Sequence, residues 1–151
     1  MTTDSPVTYN ERLWPSGWLL IALTLLLPAT FIVVFPLNAE LSIASAIVVY
    51  LAVTAFFTLT APTIKVANGE LTAGKARIPV ALISNTQVLD SEELKRTIGP
   101  SADARAFLMI RGYVHRAVRV DLQDPTDPTP YWVMTTRRPT ELANAIEAAK
   151  S

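Results

Sequence analysis

Two long apolar stretches dominate the first half of the chain. Residues 13–39 carry no charged side chain, and after a single acid, Glu40, residues 41–64 carry none either. A helix needs ~20 mostly apolar residues to cross the hydrocarbon core of a bilayer. Each stretch is therefore long enough to cross once, and the few residues between them turn the chain straight back. The pattern predicts a transmembrane helical hairpin.

This hairpin divides the chain into three expected parts. They are an N-terminal tail over residues 1–12, the hairpin over residues 13–64 and a β-rich domain over residues 65–151. A cleaved signal peptide would have a basic start and an apolar region of only ~7–15 residues. The first apolar stretch is about twice that length and a second follows at once, so we expect both spans to be retained.

After residue 64 the pattern changes to short strands and turns. Asn68-Gly69 is a strong hairpin signal because both residues tolerate positive φ. Asp90 with Glu93 three residues later matches a capping box for a short helix. Further strands are predicted by the apolar runs at 78–89, 107–110, 114–122 and 131–136, and a last amphipathic helix is predicted from Pro139.

The expected fold class is therefore an α+β membrane protein. Six or seven strands and a closing C-terminal helix suit a small antiparallel β-barrel or sheet, which is the plan of a pleckstrin-homology-like domain. One helix with an apolar stripe fills the open end of such a curved sheet.

Composition supports this division of the chain. Only 17% of residues are charged, against ~25% in average proteins, and most of the charge follows residue 64. Acidic and basic side chains number 13 each, so the basic surface expected of a nucleic-acid binder is missing. With no cysteine, the chain forms no disulfide and offers no thiolate nucleophile or metal ligand.

The distribution of basic residues predicts the orientation. The turn between the spans has no Lys or Arg, whereas Arg12 precedes the first span and Lys65, Lys75 and Arg77 follow the second. Cytoplasmic flanks are enriched in Lys and Arg. We therefore expect a multi-pass protein of the plasma membrane with both termini in the cytoplasm.

No constellation of catalytic residues is visible. His115 is the only histidine, without the converging ligands of a metal site or the partners of a nucleophilic triad. Glu92 and Glu93 are adjacent and suit the first turn of a helix rather than paired acid–base chemistry. The sequence predicts a protein that is not an enzyme, with no catalytic residue, cofactor or metal.

The segment from Asp124 to Trp132 is the most distinctive part of the domain. Its prolines hold the preceding residues extended, and aspartates there commonly lock turns through their own backbone. Two interpretations remain open. The segment is either a locked turn or a rigid recognition loop that binds a partner through Asp124, Asp127 and an exposed Tyr131 or Trp132.

Five basic residues are candidates for contact with anionic lipid headgroups, where each is worth ~1 kcal/mol. They are Lys65, Lys75, Arg77, Arg137 and Arg138.

Two segments resemble those of a known family. Tyr9, Glu11, Arg12, Leu13 and Trp14 resemble the Y-x-E-R-L-W opening of a family of uncharacterised actinobacterial membrane proteins. The run from Asp124 to Trp132, followed by Thr136, Arg137 and Pro139, is similar to the most distinctive segment of that family. The resemblance implies two spans and a cytoplasmic pleckstrin-homology-like tail, and it implies no activity.

Three functions remain as hypotheses. The first is a membrane-anchored, non-enzymatic module that presents its cytoplasmic domain to a protein partner at the membrane. The second is binding of an anionic lipid or headgroup by that domain. The third is an accessory subunit of a larger membrane complex.

Overall fold

The structure, a computed structural model, describes residues 8–151. These residues form two compact units. The first, which we call the helical hairpin, is residues 14–61. The second, which we call the β-domain, combines residues 8–13 with residues 62–151.

The helical hairpin contains three helical segments: α1 (Gly17–Leu23), α2 (Leu26–Val34) and α3 (Ala39–Leu59). Pro28 explains the break between α1 and α2, because it has no N–H to donate to the carbonyl of Thr24. That carbonyl accepts instead from the N–H of Leu27 at 3.1 Å. The helix is thus interrupted at Thr24 and Leu25, about one turn before the proline itself.

Helix α3 begins at an amide cap and packs through small side chains. The Asn38 side chain accepts from the N–H of Leu41 at 2.9 Å, as an N-cap residue should. Ser42 and Ala46 are the buried residues of this helix. They lie four positions apart, so both occupy the side of α3 that packs within the hairpin.

The first sheet of the β-domain has four antiparallel strands in sequential order. They are β1 (Tyr9–Arg12), β2 (Thr63–Ala67), β3 (Glu70–Ala73) and β4 (Ala76–Pro79). The predicted turn at Asn68-Gly69 joins β2 to β3, with φ values of 54° and 71°. These left-handed conformations are the ones that asparagine and glycine adopt most easily.

Strand β1 corrects the expected division of the chain. Tyr9 lies opposite Val66 and Arg12 opposite Thr63. Residues 9–12 therefore belong to the sheet and not to a separate tail. Their strand partner, β2, follows the hairpin in the sequence. The remainder of that expected tail, residues 1–7, lies outside the described residues.

The second sheet has the order β5-β7-β8-β6. Its strands are β5 (Ile83–Leu89), β6 (Phe107–Met109), β7 (Ala117–Leu122) and β8 (Tyr131–Thr135). The run expected to be continuous over residues 78–89 is divided by a 3-10 turn, Val80–Leu82, so that β4 and β5 belong to different sheets. Strand β6 runs parallel to β8, which a purely antiparallel fold would not contain.

Two helices complete the β-domain. In α4 (Ser91–Thr97) the capping box predicted at Asp90 and Glu93 is present. Helix α5 (Pro139–Lys150) buries Leu142 and Ile146 completely. It contacts strands of both sheets, so its apolar side completes the main core.

The α+β class is confirmed, but the barrel that α5 was expected to close is not. Within residues 8–151 the strands form two separate four-stranded sheets, one of them mixed. No closed barrel is present in this part of the chain. The core instead lies between the sheets and α5, with side chains such as Ile64, Leu71, Val120 and Met134 fully buried.

Candidate functional site

The loop between β7 and β8 is locked by its own aspartates. The carboxylate of Asp124 accepts from the N–H of Thr126 at 2.8 Å and from its hydroxyl at 2.7 Å. The same hydroxyl lowers the pKa of Asp124. Asp127 accepts from the N–H of Thr129 at 2.8 Å. These are the turn-locking bonds that one of the two interpretations expected.

Tyr131 and Trp132 do not lie on the surface, so the expectation of an exposed aromatic anchor is wrong. Their exposed fractions are 7% and 5%. The Trp132 ring packs on Phe107 with 4.7 Å between ring centroids. The Tyr131 hydroxyl accepts from the N–H of Asp103 at 3.0 Å, and the Arg119 guanidinium lies 4.0 Å from the Tyr131 ring centroid.

The position of their strand explains this burial. Strand β8 lies between β7 and β6, and each of its five residues is buried. A strand covered on both faces has no solvent side on which to present an aromatic anchor. Any surface for a partner at this loop is therefore limited to the residues before Tyr131.

Two of the five candidate basic residues lie together on the outer face of the first sheet. Lys65 and Arg77 both lie opposite Thr72 on the central strand β3, and both are exposed. With Glu70 and Asn68 they line a depression of about 250 Å³. Lys75 is exposed in the adjacent β3–β4 turn.

The other two candidates lie elsewhere, where β8 is followed by α5. Arg138 donates to Glu141 at 3.1 Å and to the Asn10 carbonyl at 3.1 Å. Its guanidinium also lies 5.2 Å from the Tyr9 ring centroid. These contacts connect α5 to β1, so Arg138 has a structural role within the β-domain.

A buried carboxylate, Glu11, is the main feature that the sequence did not predict. Its exposed fraction is 7%. One carboxylate oxygen accepts from the hydroxyls of Tyr9, at 2.6 Å, and Thr136. The other accepts from the backbone N–H of Arg137 at 3.1 Å. A buried charge is tolerated only with such bonds, and we call these four residues the Glu11 cluster.

The electrostatics of the Glu11 cluster fix the direction of its hydrogen bonds. Burial, followed by the bond to Glu11, raises the pKa of Tyr9 well above its ordinary value. Tyr9 therefore keeps its proton and donates it to the carboxylate. The cluster is a hydrogen-bonded network that joins β1 to the segment between β8 and α5.

Alternation along β1 could have revealed the inward position of Glu11, although not the residues that it bonds. Tyr9, Glu11 and Leu13 are buried, whereas Asn10 and Arg12 are exposed. An acid at an inward position of an alternating strand needs a partner. Its partners are Thr136, which is 125 residues away in the sequence, and the adjacent Arg137. The family resemblance included Glu11 and both of these partners.

Beside the Glu11 cluster is a second depression, of about 250 Å³. It is lined by Tyr113, Val114, His115, Arg116, Thr136 and Arg137. His115 and Arg116 are exposed. Among the described residues, no three His, Cys, Asp or Glu side chains are grouped so as to hold a metal ion.

The fold and these sites define the class of the protein: an α+β domain whose first strand is separated from the rest by an apolar helical hairpin. The model of one family matches residues 8–146 and carries the description "Protein of unknown function (DUF3093)". The chain belongs to this family. The matched range includes all four residues of the Glu11 cluster. No curated protein and no solved structure matches the chain.

Proposed function

We propose that this protein is a membrane-anchored, non-enzymatic module. Its helical hairpin crosses the plasma membrane twice and holds the β-domain at the cytoplasmic face, where that domain is presented to a protein partner. The likeness of the β-domain to pleckstrin-homology-like domains is part of the proposal. Its support is the arrangement of two sheets around a C-terminal amphipathic helix.

The observation that carries the proposal is the exposure of the apolar helices. The segments Gly17–Val34 and Ala39–Leu59 have mean hydropathies of 2.3 and 2.1 over their most apolar 18 residues, of which 0% and 11% are buried. The core helix of a soluble protein can be as long and as apolar as these segments. A core helix, however, buries its apolar side chains, whereas Trp18 is 77% and Leu59 77% exposed. Exposed apolar side chains of this kind are favourable in the hydrocarbon core of a bilayer.

The pairing of β1 with β2 supports a hairpin rather than two independent spans. β1 ends just before the hairpin and β2 begins just after it, and the two strands are hydrogen-bonded neighbours. Both ends of the hairpin therefore enter one sheet and leave the membrane on one side. The absence of Lys and Arg from the turn at residues 36–38 favours the cytoplasm for that sheet.

The surface proposed for a protein partner is the locked loop from Asp124 to Pro130. Its Asx turns restrict its conformation locally, and the N–H of Leu122 in β7 donates to the Pro130 carbonyl at 3.0 Å. A rigid loop loses little conformational entropy on binding. Asp127 and its neighbouring prolines are exposed, so they form the accessible part of this surface.

Alkaline carbonate extraction tests the membrane proposal. We expect the full-length chain to remain in the membrane pellet, because two spans are held by the hydrophobic effect and not by charge. A matched control replaces residues 14–61 by a short Gly-Ser linker, which keeps β1 and β2 in one chain. We expect this control to be released. Release of the full-length chain as well would contradict the proposal.

Headgroup binding on the outer face of the first sheet is a second candidate function. It is favoured by the placement of Lys65 and Arg77 on either side of Thr72. Glu70 in the same depression weakens the positive potential there. For this reason we rank it below the presentation of the domain to a protein partner.

A further inference from the structure

We infer that the depression beside the Glu11 cluster is a binding site for a single phosphate group, as carried by a lipid headgroup or a small phosphate ester. We call it the Arg116 pocket, after the basic residue on its rim. Its lining residues have no part in the proposed partner surface. Only the lipid source of the phosphate rests on the proposed membrane function.

The charge of the Arg116 pocket favours an anion. Among the residues that the structure describes, its lining includes the basic residues His115, Arg116 and Arg137 and no acid. The carboxylate of Glu11, which accepts from the backbone N–H of Arg137, is buried and has three hydrogen-bond donors in all. Guanidinium groups bind phosphate oxygens through paired N–H donors, so the pocket offers the chemistry that a phosphate requires.

The backbone of the pocket is held in place before any ligand arrives. The N–H of Thr136 donates to the Arg116 carbonyl at 3.0 Å, which joins the two lining segments. The N–H of Arg137 donates to Glu11 at 3.1 Å. The structural role of the Glu11 cluster is thus also to position the pocket, and a pre-organised site loses less free energy on binding.

The size of the pocket suits a small group. Sites for drug-sized molecules enclose roughly 300–1,000 Å³, and this one is about 250 Å³. A phosphate group fits that volume, and the rest of the molecule that carries it can extend through the open side of the depression.

Chain connectivity links the pocket to the start of the hairpin. The Tyr113 hydroxyl donates to the carbonyl of Leu13 at 2.9 Å, and α1 begins four residues later, at Gly17. Four residues span at most about 14 Å. If the hairpin lies in a bilayer, Leu13 is within that distance of the lipid headgroups, which favours a lipid as the source of the phosphate.

Titration calorimetry of the full-length chain in dodecyl maltoside micelles tests this inference. The probes are inorganic phosphate, glycerol 3-phosphate and dihexanoyl phosphatidic acid. We expect saturable binding of one phosphate group per chain. Arg116→Gln should weaken it about tenfold or more, as expected for the loss of a charged hydrogen bond, and Arg116→Lys should restore part of the loss.

Arg105→Gln is the matched control, because it removes the same charge from the exposed loop before β6, where Arg105 pairs with Asp103. We expect its affinity to stay within about twofold of the unsubstituted protein, since a distant exposed charge acts weakly through solvent. Equal affinities of Arg116→Gln and the unsubstituted protein would overturn the inference. So would a loss in Arg105→Gln as large as that in Arg116→Gln, or the absence of saturable binding. Equal thermal unfolding of the variants excludes misfolding as the cause.

The three probes identify the source of the phosphate. Binding of phosphatidic acid at least about tenfold tighter than glycerol 3-phosphate assigns a lipid, since buried acyl carbons add affinity. Equal affinities assign a soluble phosphate ester. The calorimetry is made in micelles, so a failure to bind phosphate would not change the interpretation of the carbonate extraction. Release of the full-length chain by carbonate would likewise not change the interpretation of phosphate binding.

Discussion

Replacement of Trp132 by alanine is expected to lower the free energy of unfolding of the β-domain by about 3–5 kcal/mol, the usual cost of removing a buried aromatic side chain. Trp132 is 5% exposed and packs on Phe107 at the centre of the second sheet. Domains have net stabilities of only ~5–15 kcal/mol. The variant therefore loses a large fraction of its stability, which thermal unfolding followed by circular dichroism measures.

Trp18→Ala is the matched control for this experiment. Trp18 is 77% exposed and belongs to the helical hairpin, so its loss should leave the unfolding of the β-domain unchanged. If Trp132→Ala unfolded at the same temperature as the unsubstituted chain, the packing described for β8 would be wrong. An exposed recognition role for Trp132 would then again be open.

Replacement of Glu11 by alanine should cost about 3 kcal/mol or more. Three donors, from Tyr9, Thr136 and Arg137, lose their acceptor, and each buried group left unpaired costs roughly 1–3 kcal/mol. Glu11→Gln keeps one acceptor oxygen and should cost less. Chemical denaturation followed by Trp132 fluorescence, with Trp14 and Trp18 replaced by phenylalanine, reports on the β-domain alone.

An exposed acid provides the comparison for Glu11. Glu92 pairs with Arg96 at 3.3 Å, and its side chain is 80% exposed. Exposed pairs contribute only about 0–1 kcal/mol, so Glu92→Ala should change the unfolding midpoint little. Comparable effects of Glu11→Ala and Glu92→Ala would show that the Glu11 cluster does not hold β1 to the start of α5.

Features that depend on a few neighbouring residues were predictable from the sequence. Asn68-Gly69 forms its turn because the two residues themselves tolerate positive φ. Asp90 and Glu93 cap α4 with bonds that span only three residues. The locked turns at Asp124 and Asp127 are of the same kind.

Features that depend on distant pairing were not predictable in this way. Tyr9–Arg12 was expected to be a tail because its strand partner, β2, follows the whole helical hairpin. Residues 78–89 are divided between two sheets because β4 pairs with β3 whereas β5 pairs with β7. The Glu11 cluster joins residues 125 positions apart, and no local pattern determines such a contact.

Trp132 shows where a signal was present but was interpreted differently. The aromatic pair after a proline-rich loop suggested an exposed anchor. The run Tyr131-Trp132-Val133-Met134 does not alternate with polar residues, however, and a continuous apolar run is typical of a strand buried on both faces. That pattern was the better guide to the central position of β8.

Cysteine labelling tests the central claim, that the hairpin spans the plasma membrane with the β-domain inside. The chain has no cysteine, so Leu37→Cys in the turn and Ser151→Cys at the C-terminus each provide a unique label. With a membrane-impermeant maleimide, we expect Leu37→Cys to react in intact spheroplasts and Ser151→Cys to react only after permeabilisation. Labelling of Ser151→Cys in intact spheroplasts, or of Leu37→Cys only after permeabilisation, would contradict the claim.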